Sequence, residues 1–506
     1  MRWNVAAAYV SQIYSALIGI VMIPQYLKYM GTEAYGLIGV FAILQICVQS
    51  LDMGITPTLS REAARSQSGA TSALTLRRLL RSFEIIFLLI GALILLGATS
   101  GSSYLAIRWL NGSELSSGSI QRSLVLMAGI AWLRWFAGLY RGIVNGLQQQ
   151  VWHSGVNILV STAHSVAVIP YLIYVGSTPT HFFVYQIIIS IIELAVFAAK
   201  SYALMAPVGP AERITFEIRA IRGVFSFSAV IAVTTGLWVV VTQFDKVLLS
   251  RILPLSEFGV FSLATVVAGG VTTLSLPLRL ALMPRLSELE ARGERRPLIS
   301  VYRNATQFTT VLTFSAAIFL AVFSSKVLWV WTGNAAVAAG ASTALALYAL
   351  GNGVSALGAF PYYLQYAFGS LSLHLAGTIM FLVLLIPSVL LLTLRFGAPG
   401  AGAAWLGVNL AYLLIWVPFV HRRLLGRFHF DWITRDIAPI ALAAAVGGYL
   451  ASRLIAWPDT RPADGMILLL VACFLVSCAA GASTFARHSI RTAAARLRNA
   501  TPGEGS

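Results

Sequence analysis

The chain has 506 residues, of which 58% are hydrophobic and only 10% charged, with a mean hydropathy of +0.80. A soluble domain carries about 25% charged residues, so a surface of this size cannot be clothed in polar groups, and a soluble enzyme, a disordered chain and a disulfide scaffold are excluded. The charge is lopsided, 35 Lys and Arg against 18 Asp and Glu for a formal +17, and its meaning depends on where those cations sit.

A bilayer core of about 30 Å needs about 20 apolar residues as helix, because backbone groups in lipid must be satisfied within the segment. On that measure the sequence predicts fourteen spans. They lie near 5–27, 35–57, 83–100, 122–141, 154–175, 182–203, 225–250, 258–282, 305–324, 341–366, 371–394, 400–420, 437–456 and 465–486. The first is too long for a cleavable signal peptide and has no small-residue cleavage site after it. The spans leave no room for a soluble catalytic domain, and the longest outer loop, 101–121, is too short to hold one.

With the N-terminus inside, 24 of the 35 cations fall in inner segments. Arg61, Arg65, Arg77, Arg78 and Arg81 fill the first inner loop and Arg141 stands in the second; Arg285, Arg292, Arg295, Arg296 and Arg303 lie near 285–303, and Arg487, Arg491, Arg496 and Arg498 in the tail. Outer segments hold seven. The positive-inside rule therefore places both termini in the cytoplasm. Basic inner loops also attract anionic lipid headgroups, which accounts for the +17 without nucleic acid.

Residues 34–41 (AYGLIGVF) and 257–264 (EFGVFSLA) align, Tyr35 with Phe258 and Gly36 with Gly259, and each opens an even-numbered helix after a short outer loop. Helices 1–6 and 7–12 are read as two related halves, the arrangement expected when a transport site lies between repeats. The expected organisation is a six-helix lobe over 1–222, a second over 223–424, two further helices over 425–486 and a basic tail over 487–506. The fold class is thus an all-α integral membrane protein with two lobes around a central cavity. Prolines at 24, 57, 170, 277, 361, 387 and 418 interrupt seven spans and kink them.

Cys47, Cys473 and Cys478 form no CxxC or Cys/His cluster, so neither a disulfide nor a metal site is expected. The Walker lysine motif, HExxH and GxSxG are all missing from the sequence, and no cofactor is expected. The chain reads as a transporter, not an enzyme.

The stretch IPQYLKYMGTEAYGLIGV (23–40) followed by LDMGITPTLSREAA (51–64) resembles the opening of bacterial oligosaccharide flippases, in the multidrug/oligosaccharidyl-lipid/polysaccharide exporter superfamily. In that pattern a proline ends helix 1, a Gly-x-x-x-Tyr-Gly turn opens helix 2 and Asp-x-Gly precedes a basic inner loop. Asp245, LPLSEFGVFSLA (253–264), LMPRLSEL (282–289) and LWVWTG (328–333) extend the resemblance to roughly residues 4–420. It implies a two-lobed, inverted-V transporter of 12 to 14 helices in the bacterial inner membrane. It implies an undecaprenyl-pyrophosphate-linked oligosaccharide as substrate, flipped from the cytoplasmic to the periplasmic leaflet for cell-surface polysaccharide synthesis. Polysaccharide polymerase or export proteins would be partners. A multidrug exporter and a peptidoglycan-precursor flippase of the same superfamily are the alternatives.

Charged residues at mid-membrane face a cavity or a partner. Arg134 in helix 4 and Glu193 in helix 6 stand near mid-depth, and two readings are open: a buried ion pair between them, or Arg134 engaging an anionic substrate with Glu193 coupling transport to protons or sodium. Asp52 is a second coupling candidate, with Glu84 a gate residue near Arg61 and Arg81. Asp245 and Arg279 are cavity candidates. Asp245 and Lys246 diverge by about 100° on a helix, so Lys246 is expected to snorkel outward. His164 and His374 are read as histidines satisfied by interhelical hydrogen bonds.

Overall fold

The computed structural model describes residues 2–207 and 218–487, the side chains of 2–6, 218–234, 276–277, 279–281 and 371 excepted. Arg279 and the tail beyond 487 therefore lie outside the described residues. The described chain is helical from end to end, with one isolated bridge between Asn111 and Pro254. It forms two compact units, Met1–Gly259 and Val260–Ser506. The expected boundaries at 222 and 424 stand as a proposal.

In the first unit, α1 (Arg2–Ser50) is broken at Gly31, whose φ of 82° and ψ of 174° open the helix. A side chain is strained there, and glycine is not. Pro24, expected to end helix 1, sits inside it. The second span, expected to run to residue 57, is shorter than that. Helix stops at Ser50, the chain turns through Met53 (φ 45°) and Gly54 (φ 82°), and a separate amphipathic α2 (Ile55–Gln67) begins. Pro57 falls in its first turn, where a missing N–H costs nothing because those donors have no intrahelical partner.

Next come α3 (Ala73–Tyr104), capped by the Ser72 hydroxyl and prolonged by a π-helical turn at Leu105–Trp109, and α4 (Ser117–Gly146), capped by Ser116. Then follow α5 (Gln150–Ser165), α6 (Val168–Tyr174), α7 (Pro179–Leu204), with Thr178 as cap and Pro179 in its first turn, and α8 (Ile218–Ile252). The C-terminal half of α4 carries Gly138, Gly142 and Gly146, one glycine per turn. A Cβ at Gly142 would meet the Thr56 carbonyl oxygen at 2.8 Å, and one at Gly146 would collide with that of Ser60. Only glycine lets the α2 backbone lie directly on α4. Across the other side, α1 and α5 are zipped by Tyr14–Thr162 and Ser15–Ser161 hydrogen bonds of 2.7 Å and by Asn157 donating to Ser11 at 2.8 Å.

The chain passes from one unit to the other within α9 (Leu255–Thr273). The second unit continues with α10 (Leu276–Ala291), α11 (Arg295–Val322), α12 (Ser324–Thr332), α13 (Ala335–Ala367) and α14 (Leu371–Ala411). A glycine of positive φ, Gly397, interrupts α14 in the same way as Gly31 interrupts α1. A π-helical turn at Tyr412–Trp416 leads into α15 (Val417–Leu424), and α16 (His429–Asp431), a second π-helical turn, α17 (Ala438–Leu454) and α18 (Arg461–Ala482) complete it. One apolar cluster, with Tyr302, Phe360 and Trp432 at its centre, joins α10, α11, α13 and the start of the last helix pair. A second joins α11 to α17 and α18. Buried Asp436 accepts from Arg303 Nε at 2.7 Å and Nη2 at 3.1 Å and from Gln307 Nε2 at 2.7 Å. Gln307 Oε1 in turn accepts from Ser483 Oγ, Thr484 Oγ1 and Phe485 N. The two additional helices are thereby fastened to α11 at both ends of their run.

Eleven helical stretches among the described residues are long and apolar enough to cross a bilayer. Two of them, Ala7–Ser50 and Ser372–Leu424, are 44 and 53 residues long, twice or more the ~20 a single crossing needs. The chain is a multi-span membrane protein.

Candidate functional site

The charged cluster of the first unit is built on a coincidence of spacing. Arg134 and Arg141 are seven residues apart on α4, and Gln186 and Glu193 are seven apart on α7. Seven residues are close to two helical turns and about 10.5 Å of rise, so each pair lies on one face. The two helices run parallel, and they meet on these faces as a ladder of two rungs.

The first rung, at Arg134, is neutral on one side. Arg134 Nη1 donates to Gln45 Oε1 of α1 at 3.1 Å and Nη2 to Gln186 Oε1 at 3.4 Å, with the Phe41 ring 5.7 Å from the guanidinium. Among the described residues Arg134 has no carboxylate within ion-pair distance. The second rung is an ion pair between Arg141 and Glu193, with Phe197 5.3 Å from the guanidinium. Glu193 is 3% exposed and Arg141 29%. His164 of α5 spans both rungs. Its Nδ1 hydrogen-bonds Gln186 Oε1, and its Nε2 lies 3.7 Å from Glu193 Oε2. Gln186 Nε2 donates to the His164 carbonyl oxygen at 2.8 Å, which fixes the amide's orientation.

The two residues singled out from the sequence are thus brought into one network, but not as a pair with each other. Glu193 takes Arg141, which the sequence had assigned to the inner-loop cations. The physical reason is register: α4 continues to Gly146, so Arg141 lies within the helix, opposite mid-α7, and not in a loop. The matched spacing of seven was the signal available in the sequence. Two guanidinium groups against one carboxylate leave the cluster with an uncompensated positive charge in an apolar layer, an arrangement that favours an anionic ligand.

The remaining candidates lie elsewhere. Asp52 accepts from Thr56 Oγ1 at 2.6 Å and Thr56 N at 3.2 Å, capping the start of α2. Burial pushes its carboxyl above the ordinary 3.8, against the opposing pull of these hydrogen bonds. Glu84 pairs with Arg81 at 3.2 Å as expected, and is also held by Tyr140 and Tyr202 hydroxyls at 2.7 and 2.6 Å. Arg61 pairs with Glu62. Asp245 is buried, and Lys246, expected to turn away from it, folds back: Nζ donates to the Thr242 carbonyl at 2.7 Å and lies 3.4 Å from Asp245 Oδ1. A lysine stem four carbons long overcomes the 100° divergence of neighbouring positions. His374 lies against Tyr362 with ring centroids 4.5 Å apart and the planes tilted by 49°; its Nδ1 is buried without a hydrogen-bond partner among the described residues, so the hydrogen bond expected there is replaced by a ring contact. Glu33, which sequence reasoning passed over, is buried and accepts from the backbone N–H groups of Ser113, Glu114 and Leu115, tying the turn after Gly31 to the segment that leads into α4. Its signal was a carboxylate two residues beyond a breaking glycine.

Residues 2–290 match the sequence profile of the family described as polysaccharide biosynthesis protein. The chain belongs to that family. No curated protein matches it by sequence. Among solved structures, a lipid II flippase, MurJ, in an inward closed conformation superposes with a TM-score of 0.69 at 14% identity, covering 93% of this chain and 98% of that one. An inward-facing multidrug resistance MATE family transporter of the MOP superfamily superposes with a TM-score of 0.66 at 13% identity, over 83% and 97% of the two chains. The MATE multidrug transporter DinF-BH gives 0.57 at 14%, over 83% and 95%. This member of the polysaccharide biosynthesis family therefore has the fold of MOP-superfamily transporters, in line with the resemblance read from its motifs.

Proposed function

We propose that the protein flips an oligosaccharide linked to undecaprenyl pyrophosphate from the cytoplasmic to the periplasmic leaflet of a bacterial inner membrane. In this reading the chain crosses fourteen times with both termini cytoplasmic, works by alternating access, and serves cell-surface polysaccharide synthesis. The observation that carries it is Arg134: a mid-membrane guanidinium whose described partners are two amide oxygens, on the same helix face as a second arginine. A guanidinium fork so placed matches phosphate geometry. An organic-cation exporter would need a carboxylate-dominated site, and here cations exceed carboxylates.

The test is replacement of Arg134 by Gln in cells lacking the native gene, followed by analysis of lipid-linked intermediates. Membrane insertion should be normal, and glycan-lipid should accumulate on the cytoplasmic side. Normal surface glycan in that variant refutes the reading. A peptidoglycan-precursor flippase is the second reading, favoured by the likeness to the lipid II flippase. It predicts accumulation of the cell-wall precursor instead, and drug sensitivity with normal glycans would point to an exporter.

A further inference from the structure

The two rungs differ in what a proton does to them. Gln186 Oε1 is an acceptor, because Gln186 Nε2 is committed to the His164 carbonyl, so His164 Nδ1 carries the hydrogen of their shared bond. A neutral imidazole protonated at Nδ1 presents a bare lone pair at Nε2. That atom is buried without a hydrogen-bond partner among the described residues and lies 3.7 Å from Glu193 Oε2, itself a lone-pair carrier. One proton between Nε2 and Oε2 relieves the repulsion, and the geometry keeps a seat for it.

The charged and titratable groups in contact with Glu193 are Arg141 of α4 and His164 of α5; Arg134 stands one rung away against Gln186 and the α1 amide Gln45, and His153 of α5 and Lys200 of α7 have partners of their own. His153 is bonded to Asn145 at 2.8 Å, and Lys200 lies over the Trp152 ring. Arg141 is the cation that answers to Glu193. It sits about 10.5 Å along α4 from Arg134 on the same face, and its guanidinium is partly exposed while the carboxylate is not.

We infer that Glu193 masks Arg141, and that a proton taken up between Glu193 and His164 unmasks it, so that Arg134 and Arg141 together form a two-guanidinium seat for a lipid pyrophosphate. This rests on the flippase reading and adds to it how the anion and the proton are linked. The proton comes from water and adds to a lone pair of the Glu193–His164 couple; no other bond changes. With that charge cancelled, the attraction between Arg141 and Glu193 falls from an ion pair to a neutral contact. The guanidinium turns to the ligand's phosphates, and anion binding strengthens as pH falls. Loss of the proton restores the pair and expels the anion.

The experiment uses the full chain in lipid nanodiscs with farnesyl pyrophosphate as probe and farnesyl monophosphate as control. Binding is measured at about pH 5.5 and about pH 8, either side of the ordinary imidazole value of about 6.5. Wild type should bind the pyrophosphate about tenfold more tightly at the lower pH, the effect of one added charge-assisted contact. Glu193→Gln should bind tightly at both, Arg141→Gln weakly at both, and Glu193→Asp, which restores a carboxylate, should regain the pH dependence. A Glu193→Gln protein with wild-type affinity and pH dependence overturns the proposal, as does absence of saturable binding in wild type and Glu193→Gln alike. Failure of the flippase reading is a separate result: glycan export unaffected by loss of the protein while the pH-dependent binding persists.

Discussion

Replacing Arg303 by Met would strip buried Asp436 of two guanidinium hydrogen bonds, 2.7 and 3.1 Å long, and leave Gln307 as its side-chain donor. Asp436 is fully buried and the Arg303 side chain is 31% exposed, so the carboxylate bears nearly all of the desolvation and the pair is buried on one side only. Breaking a buried pair costs about 3–5 kcal/mol, and the half-open arginine sets the expectation near the low end, about 3 kcal/mol. Arg303→Lys keeps the charge but gives up the two-pronged geometry, for about 1 kcal/mol. Adding Asp436→Asn to Arg303→Met removes the stranded charge and should recover most of the loss. Unfolding in detergent followed by the fluorescence of Trp432, which packs on His421 at 4.8 Å, reads all three. The damage should be local to the last helix pair, with faster amide exchange at 483–485, the residues anchored through Gln307. A stability within about 0.5 kcal/mol of wild type for Arg303→Met, or a double variant no better than the single one, would refute the argument that this carboxylate depends on its arginine.

Substitutions at two further positions test the frame around the cluster. Gly146→Leu should destabilise the first unit by about 1–3 kcal/mol, because the added side chain meets the Ser60 backbone and α2 must lift off α4; protease sensitivity within 55–67 would report it, and an unchanged digestion pattern would contradict it. Asp52→Ala should cost about 1 kcal/mol by loss of the α2 cap, whereas Asp52→Asn keeps an acceptor for Thr56. Since burial raises the folded-state value of Asp52 above 3.8, its contribution is most favourable below the unfolded value and is lost as pH rises through the folded one. Asp52→Asn should therefore gain on wild type between about pH 4 and neutrality, and a parallel pair of stability–pH curves would show the carboxyl unperturbed.

The reach of sequence reasoning differs from feature to feature. Gly31 was legible as a helix break because only a residue without Cβ adopts its backbone angles. The stop at Ser50 was not, since an apolar run reads as one span and nothing in hydropathy marks the Met53–Gly54 turn. Arg134 and Glu193 stood out by depth. Their partners did not, because a count of residues along a helix gives depth but not rotation, and rotation decides which side chains meet. Lys246 shows the same limit at shorter range: position fixes where its Cα points, and a flexible stem decides where its charge goes.

What the sequence determined by itself was the solvent and the class of fold. A chain with 10% charge and long apolar runs has to bury its backbone polar groups in helices within a bilayer, and its cations mark a side. Tertiary structure alone decided which charges are matched. The packing of α4 on α7 placed Glu193 on Arg141, left Arg134 to two amides and set His164 between the rungs. In a low dielectric each charge interacts several-fold more strongly with the groups placed against it than it would in water, and those neighbours come from helices that are distant in sequence.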